Sequence, residues 1–158
     1  MNIFVRYATI AWIHVMRPIW SVIVNSLFWV FHPYKFNEIS DLKKSYAKMD
    51  LRKLMKSFTW KQDNYKDWIP WASTIMVRDL TDDCDGAASL AKWRMKQHGV
   101  DSTILNLYSA DGSFGHCICM VKGNTFFVSN ESVIDIQNTD RWKEELLAYF
   151  DGRYSIIL

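Results

Sequence analysis

Cys84 stands between Asp83 and Asp85 and is followed by Gly86-Ala87-Ala88, while Gly115-His116 opens an apolar run further along the chain. A thiol attacks well only as its thiolate, and both a helix N-terminus and a neighbouring base favour that form. These residue types point to nucleophilic cysteine chemistry on an amide or acyl bond. A histidine serving as base must be held by its second ring nitrogen. The stretch Phe127-Val128-Ser129-Asn130 ends the next expected strand in polar groups, so Ser129 or Asn130 can reach the ring, and Asp135 is a further candidate.

The elements that must position these groups follow from local signals. Asp82 or Asp83 serves as N-cap of a helix from Cys84 to Gln97, which Gly99 stops. Small residues after the cysteine let that helix pack closely beneath the site. Strands are expected over 103–108, 116–121 and 125–130, with Lys122-Gly123-Asn124 as a tight turn, then a helix over 139–150 and a last strand over 154–158. Alternation along the middle strand puts His116 and Ile118 on one face and Cys117 and Cys119 on the other. Cys117 and Cys119 read as small core residues. Three cysteines make a poor disulfide framework, and their spacing suits no zinc site.

Upstream, Asp41 to Ser57 carries apolar residues at helical spacing, with Ser40 as the expected cap. Trp60, Trp68 and Trp71 read as core rather than as a stacking surface for a ligand. A helix followed by an antiparallel meander is an α+β pattern.

The stretch Asp82-Asp83-Cys84-Asp85-Gly86-Ala87, then Gly115-His116, then Phe127-Val128-Ser129-Asn130, resembles the bacterial and phage transglutaminase-like cysteine peptidases of the papain-like group. Phe58-Thr59-Trp60, Asp63 and Asp67-Trp68 with Pro70 resemble the lead-in of that family, so the likeness spans residues 58–130. The resemblance implies a papain-like or transglutaminase-like fold, with the nucleophile helix packed on a small antiparallel sheet. It implies Cys84 as nucleophile, His116 as base and Asn130 as the residue orienting the imidazole, with Ser129 where the family has Asp. It implies a thiol hydrolase cleaving a peptide or isopeptide bond in a protein or peptide substrate. Acyl transfer to an amine by the same thioester, as in a transglutaminase or amidase, is the alternative, and a non-catalytic structural or membrane-docked relative is another. Gly86 in place of a second acid departs from the family pattern. In members that bind calcium, acids flank the cysteine where Asp83 and Asp85 stand, although helix capping accounts for both. No other cofactor is expected.

The 158 residues suit one packed domain, with 49% hydrophobic and 15% aromatic content. A net charge of +2 gives no ground for nucleic-acid binding. Residues 1–36 form an apolar N-terminal helical extension without Asp or Glu, and 37–158 form the transglutaminase-like domain. In residues 1–31 Asn2, Arg6, Thr9, His14, Arg17, Ser21 and Asn25 recur as one polar stripe, Pro18 is expected to kink the helix, and His32-Pro33 ends it. The apolar stretch from Ile19 to Phe31 is short for a membrane span and no cleavage site follows it. The expected role is an attachment device apart from the catalytic core, an interfacial helix or uncleaved anchor on a membrane surface, with a helix packed on its own domain or on a protein partner as the alternative.

Overall fold

In the computed structural model of the protein, residues 8, 15–62, 69–111 and 115–157 are described. Helix α1 (Arg17–Phe31) carries Pro18 in its first turn, where a missing N–H costs nothing. Two π-helical residues, Val15 and Met16, precede it, and the part of the extension that a kink at Pro18 would divide off lies outside the described residues. The His32 N–H donates back to Phe28 O at 3.0 Å, and a 3-10 turn (Pro33–Lys35) leads on. The expected helix over 41–57 is two helices, α2 (Phe36–Lys48) and α3 (Leu51–Lys56). They separate because the chain extends at Met49 and Asp50, and the Asp50 carboxylate accepts from the Lys53 N–H at 3.1 Å. Ser40 lies inside α2, so the N-cap in this region is Asp50.

Strand β1 (Thr59–Trp60) pairs in parallel with β2 (Thr81–Asp82), with α4 (Ala72–Met76) between them in sequence. Then comes α5 (Cys84–Gln97), capped by Asp83, and Gly99 follows it at φ +69°. The main sheet is antiparallel, ordered β6-β5-β4-β3-β7. Its strands are β3 (Ser102–Tyr108), β4 (Gly115–Val121), β5 (Phe126–Ser129), β6 (Ser132–Asp135) and β7 (Ile156–Ile157). A 3-10 turn (Thr139–Arg141) and α6 (Trp142–Tyr149) precede β7. The fold is α+β: α5 packs on the antiparallel sheet, with helices added at the N-terminal side.

The alternation of β4 divides the core as expected. Cys117, Cys119 and Val121 pack with Ala87, Ala88, Leu90, Ala91 and Met95 of α5. Ile118 and Met120 pack on the other face with Leu107, Phe127 and Leu146. Trp60 and Trp71 are 48% and 44% exposed, so these two are surface residues and not core; Trp68, like Asp63 and Asp67, lies outside the described residues.

Helix α1 is inverted relative to an ordinary surface helix. Its polar residues Arg17, Ser21 and Asn25 are buried, while Ile19, Val22, Ile23, Leu27 and Val30 face outward. The helical spacing of the three polar residues puts them on one face, and each meets the domain. Ser21 Oγ accepts from the Ile69 N–H at 2.7 Å. Asn25 Oδ1 accepts from the Trp71 N–H at 2.8 Å and the Thr74 hydroxyl at 2.9 Å, while its Nδ2 donates to Ile69 O at 3.0 Å. The described helix of the extension, α1, is thus fastened to the domain, and its Arg17 reaches Asp85 beside Cys84. Asn2, Arg6, Thr9 and His14 lie outside the described residues.

Candidate active site

Cys84 is the first residue of α5, where backbone N–H groups lack intrahelical partners and the helix dipole is positive. Asp83 fixes this end by accepting from the Asp85 N–H at 3.0 Å. Beneath it Asp82, fully buried, accepts from the Asp83 N–H at 2.9 Å and from Arg78 at 2.8 Å. Asp79 and Leu80 both take left-handed backbone conformations just before β2. Strain of this kind persists where surrounding structure enforces it.

His116 enters from β4. Its Nε2 lies 2.8 Å from Ser129 Oγ at the end of β5. Tyr154 stacks on the imidazole with centroids 6.0 Å apart, and Phe150 meets it edge-on at 5.3 Å. The ring is therefore fixed in position and rotation. The residue holding it is Ser129, not Asn130. Asn130 begins the turn after β5 at φ 48°, and its Oδ1 is buried without accepting a hydrogen bond. Asp135 is engaged elsewhere, in a bidentate pair with Arg52 at 2.8 and 2.7 Å. His116, Ser129 and Asn130 line a cleft of about 470 Å³ with Trp60, Arg153 and Tyr154. Cys84 is not part of that wall; His116 is common to the cleft and to the surroundings of the Cys84 sulfur.

The Cys84 thiol is held well below its ordinary value. A hydrogen bond from the Cys117 side chain contributes most, against the opposing effect of burial, and His116 adds a hydrogen bond and its charge. Cys117 is pushed well above its ordinary value, first by that same bond to Cys84 and then by burial. Burial raises Cys119 to about 11. The three free cysteines thus differ sharply: one thiolate former and two protonated thiols.

A buried polar cluster underlies the sulfur. Arg17, 3% exposed, pairs directly with Asp85 and donates to Asn106 Oδ1 at 2.9 Å. Cys117 lies opposite Asn106 in the β3–β4 ladder, and its sulfur is 2.9 Å from the same Oδ1. Cys117 has a single proton. It serves either Asn106 or the Cys84 thiolate, and Arg17 keeps Asn106 bonded in the second case. The Asp85 carboxyl is raised above its ordinary value, chiefly by burial, and the Arg17 charge offsets part of that rise. Asp85 stays ionised here, because a neutral carboxyl would leave the guanidinium, which does not deprotonate, buried without its counter-charge. Asp85 Oδ1 stands 4.0 Å from the Cys84 sulfur. Two unit negative charges at that distance repel by about 4 kcal/mol at an effective dielectric near 20.

Comparisons with protein-family models, curated proteins and solved structures give no match. The geometry of the site carries the functional argument.

Asp83 and Asp85 do not form a calcium cage. One caps the helix, the other is paired with Arg17, and calcium needs six or more oxygens. Ligand atoms of Cys84, Asp85 and Cys117 lie within 4.8 Å of one another, but the Arg17 guanidinium already stands against Asp85 and Cys117, so the trio does not suit a cation. Cys117, Arg17 and Asn106 are the members of the site that the sequence reading passed over. The only signal for Cys117 was its place beside His116, on the face of β4 turned to the nucleophile helix.

Proposed function

We propose that the protein is a thiol hydrolase of the papain-like or transglutaminase-like group, acting on a peptide or isopeptide bond through Cys84. The observation that carries this reading is a helix-borne cysteine, lowered in pKa, beside a strand-borne histidine whose Nε2 is held by Ser129. With Nε2–H donating to Ser129 Oγ, Nδ1 is the nitrogen left to take the thiol proton. The Cys84 thiolate attacks the carbonyl carbon, and the C–N bond breaks as His116 returns the proton to the leaving amine. His116 then deprotonates water, which cleaves the thioester and regenerates the thiol. The Cys84 N–H, without an intrahelical partner, supplies one donor to the oxyanion. The cleft beside His116 is the place for the substrate chain. Serine in the orienting position gives the imidazole a neutral partner, as asparagine does in papain-like enzymes.

Alkylation of the three cysteines by iodoacetamide, followed across pH, tests this reading. A depressed thiol remains thiolate as the pH falls below the ordinary thiol range. Cys84 is therefore expected to react at mildly acidic pH while Cys117 and Cys119 do not. Equal and slow reaction of all three would discard the hydrolase and leave a non-catalytic relative with the same fold.

The outward face of α1 supports attachment to a membrane surface. Ile19, Trp20, Ile23 and Val30 project away from the domain. No helix among the described residues is long and apolar enough to cross a membrane. The one-sided apolar face of α1 suits a helix lying in the bilayer interface.

A further inference from the structure

We infer that Arg17, delivered by the N-terminal helix, is a positioning residue for the nucleophile: by pairing with Asp85 beneath Cys84 it makes room for a second negative charge at the sulfur. The inference rests on the thiol chemistry proposed above and extends it to a residue far outside the motif, 68 positions from Asp85.

Three charged or chargeable groups stand around the Cys84 sulfur: Asp85 at 4.0 Å, His116 from β4 and Arg17 from α1. Cys117 faces them from β4 and Tyr154 from beyond the ring, and both are raised in pKa and neutral in the working range. Asp82 also lies beneath the helix start, but its partner is Arg78. When Cys84 and His116 form the thiolate–imidazolium pair, the cluster holds two anions and two cations. Without Arg17 it would hold two anions and one cation, with Asp85 buried. The uncompensated charge on Asp85, 4.0 Å from the sulfur, would then oppose a thiolate at Cys84. Asn106 completes the arrangement by accepting from Arg17, which fixes the guanidinium against Cys117 at 3.7 and 3.8 Å.

The site is therefore not complete within the stretch that resembles a peptidase. The cation comes from a helix whose remaining anchors, Ser21 and Asn25, bind the segment ahead of the nucleophile. Docking α1 and charging the sulfur are one event.

The test is the pH profile of Cys84 alkylation in the full chain, with circular dichroism as a control for folding. Arg17→Met is expected to move the midpoint upward by about one pH unit or more, the size of shift produced by a neighbouring charge. Adding Asp85→Asn to Arg17→Met should bring the midpoint back toward the wild-type value, and Arg17→Lys should stay closer to wild type than Arg17→Met does. Asp85→Asn alone, which keeps Arg17, should move the midpoint below wild type, and this arm stands even if Arg17→Met does not fold. An unmoved midpoint in Asp85→Asn, or in folded Arg17→Met, overturns the role of Arg17 while the hydrolase reading survives. A wild-type Cys84 with an ordinary thiol midpoint overturns both.

Discussion

Gly86 lies so close to Asp82 that a Cβ on the glycine would stand 2.4 Å from the Asp82 Cβ. Glycine at this position is thus required by the Asp82 side chain beneath it. Asp82 bonds the Asp83 backbone and Arg78 at once, so it cannot swing aside without releasing the start of the nucleophile helix.

Gly86→Ala is accordingly expected to destabilise the protein by about 1–3 kcal/mol, the range for overpacking a filled interior. Combined with Asp82→Gly, which removes both the Cβ and the carboxyl that the new methyl would meet, the loss should fall short of the sum of the two single losses, because Gly86→Ala creates the collision and Asp82→Gly relieves it. Urea unfolding of the four proteins measures this coupling. An additive result would place the strain elsewhere.

The orienting bond to His116 ranks three substitutions. His116→Ala should slow acylation by about 10²–10⁴-fold, the usual contribution of a general base. Ser129→Ala removes one hydrogen bond, worth about 1 kcal/mol or roughly fivefold in rate. Asn130→Ala should cost less than Ser129→Ala, since the ring does not bond to it. Single-turnover acylation kinetics check the order, and a larger loss at Asn130 would restore that residue to the orienting role.

Cys117 is expected to influence the nucleophile without being reactive itself. Cys117→Ala removes the donor that contributes most to the low Cys84 value, so thiolate formation should need a higher pH. Cys117→Ser keeps a donor and should lie nearer to wild type. Alkylation midpoints for the two variants decide the matter; equal midpoints would mean that Cys117 only fills space.

Asp50→Ala should cost about 1 kcal/mol through loss of the cap on α3, and Asp50→Ser should recover most of it. Chemical denaturation reads both changes. An unchanged midpoint in Asp50→Ala would show that packing of Leu54 and Met55 holds α3 without its cap.

Sedimentation with anionic vesicles tests the outward face of α1. The wild-type protein should pellet with lipid, and Ile19→Glu with Ile23→Glu should abolish pelleting. Both positions are exposed, so the alkylation profile of Cys84 should be unaffected. A wild-type protein that ignores lipid would move this face to a protein partner.

Much of the scaffold was legible because its signals are local. Asp83, the helix through Gln97 and Gly99 follow from capping chemistry, and the two faces of β4 follow from alternation. The break at Met49–Asp50 was hidden because apolar spacing continues across it, and only the extended backbone of Asp50 reveals a second cap. Strand β6 was missed because Ser132–Asp135 is half-exposed and shows no clear alternation. Ser129 and Asn130 could not be separated in sequence: the left-handed turn at Asn130 decides which of them points back to His116. Cys117 reads as a small apolar residue until Arg17 and Asn106 are brought beside it, and those contacts cross from α1 and β3. Periodicity revealed the polar stripe of α1 but not the side on which the domain would lie.

That inverted stripe has a consequence for reach. A catalytic domain hung from a flexible tether samples many heights and orientations above the surface that carries it. Here α1 is bolted to the domain at Arg17, Ser21 and Asn25, so any surface covering its outward side would meet a cleft already aimed. The stand-off between that surface and His116 is then a fixed dimension of the fold. Substrates would be selected by how far their scissile bond stands from the surface, as a gauge selects by height, before any side chain in the cleft has read their sequence.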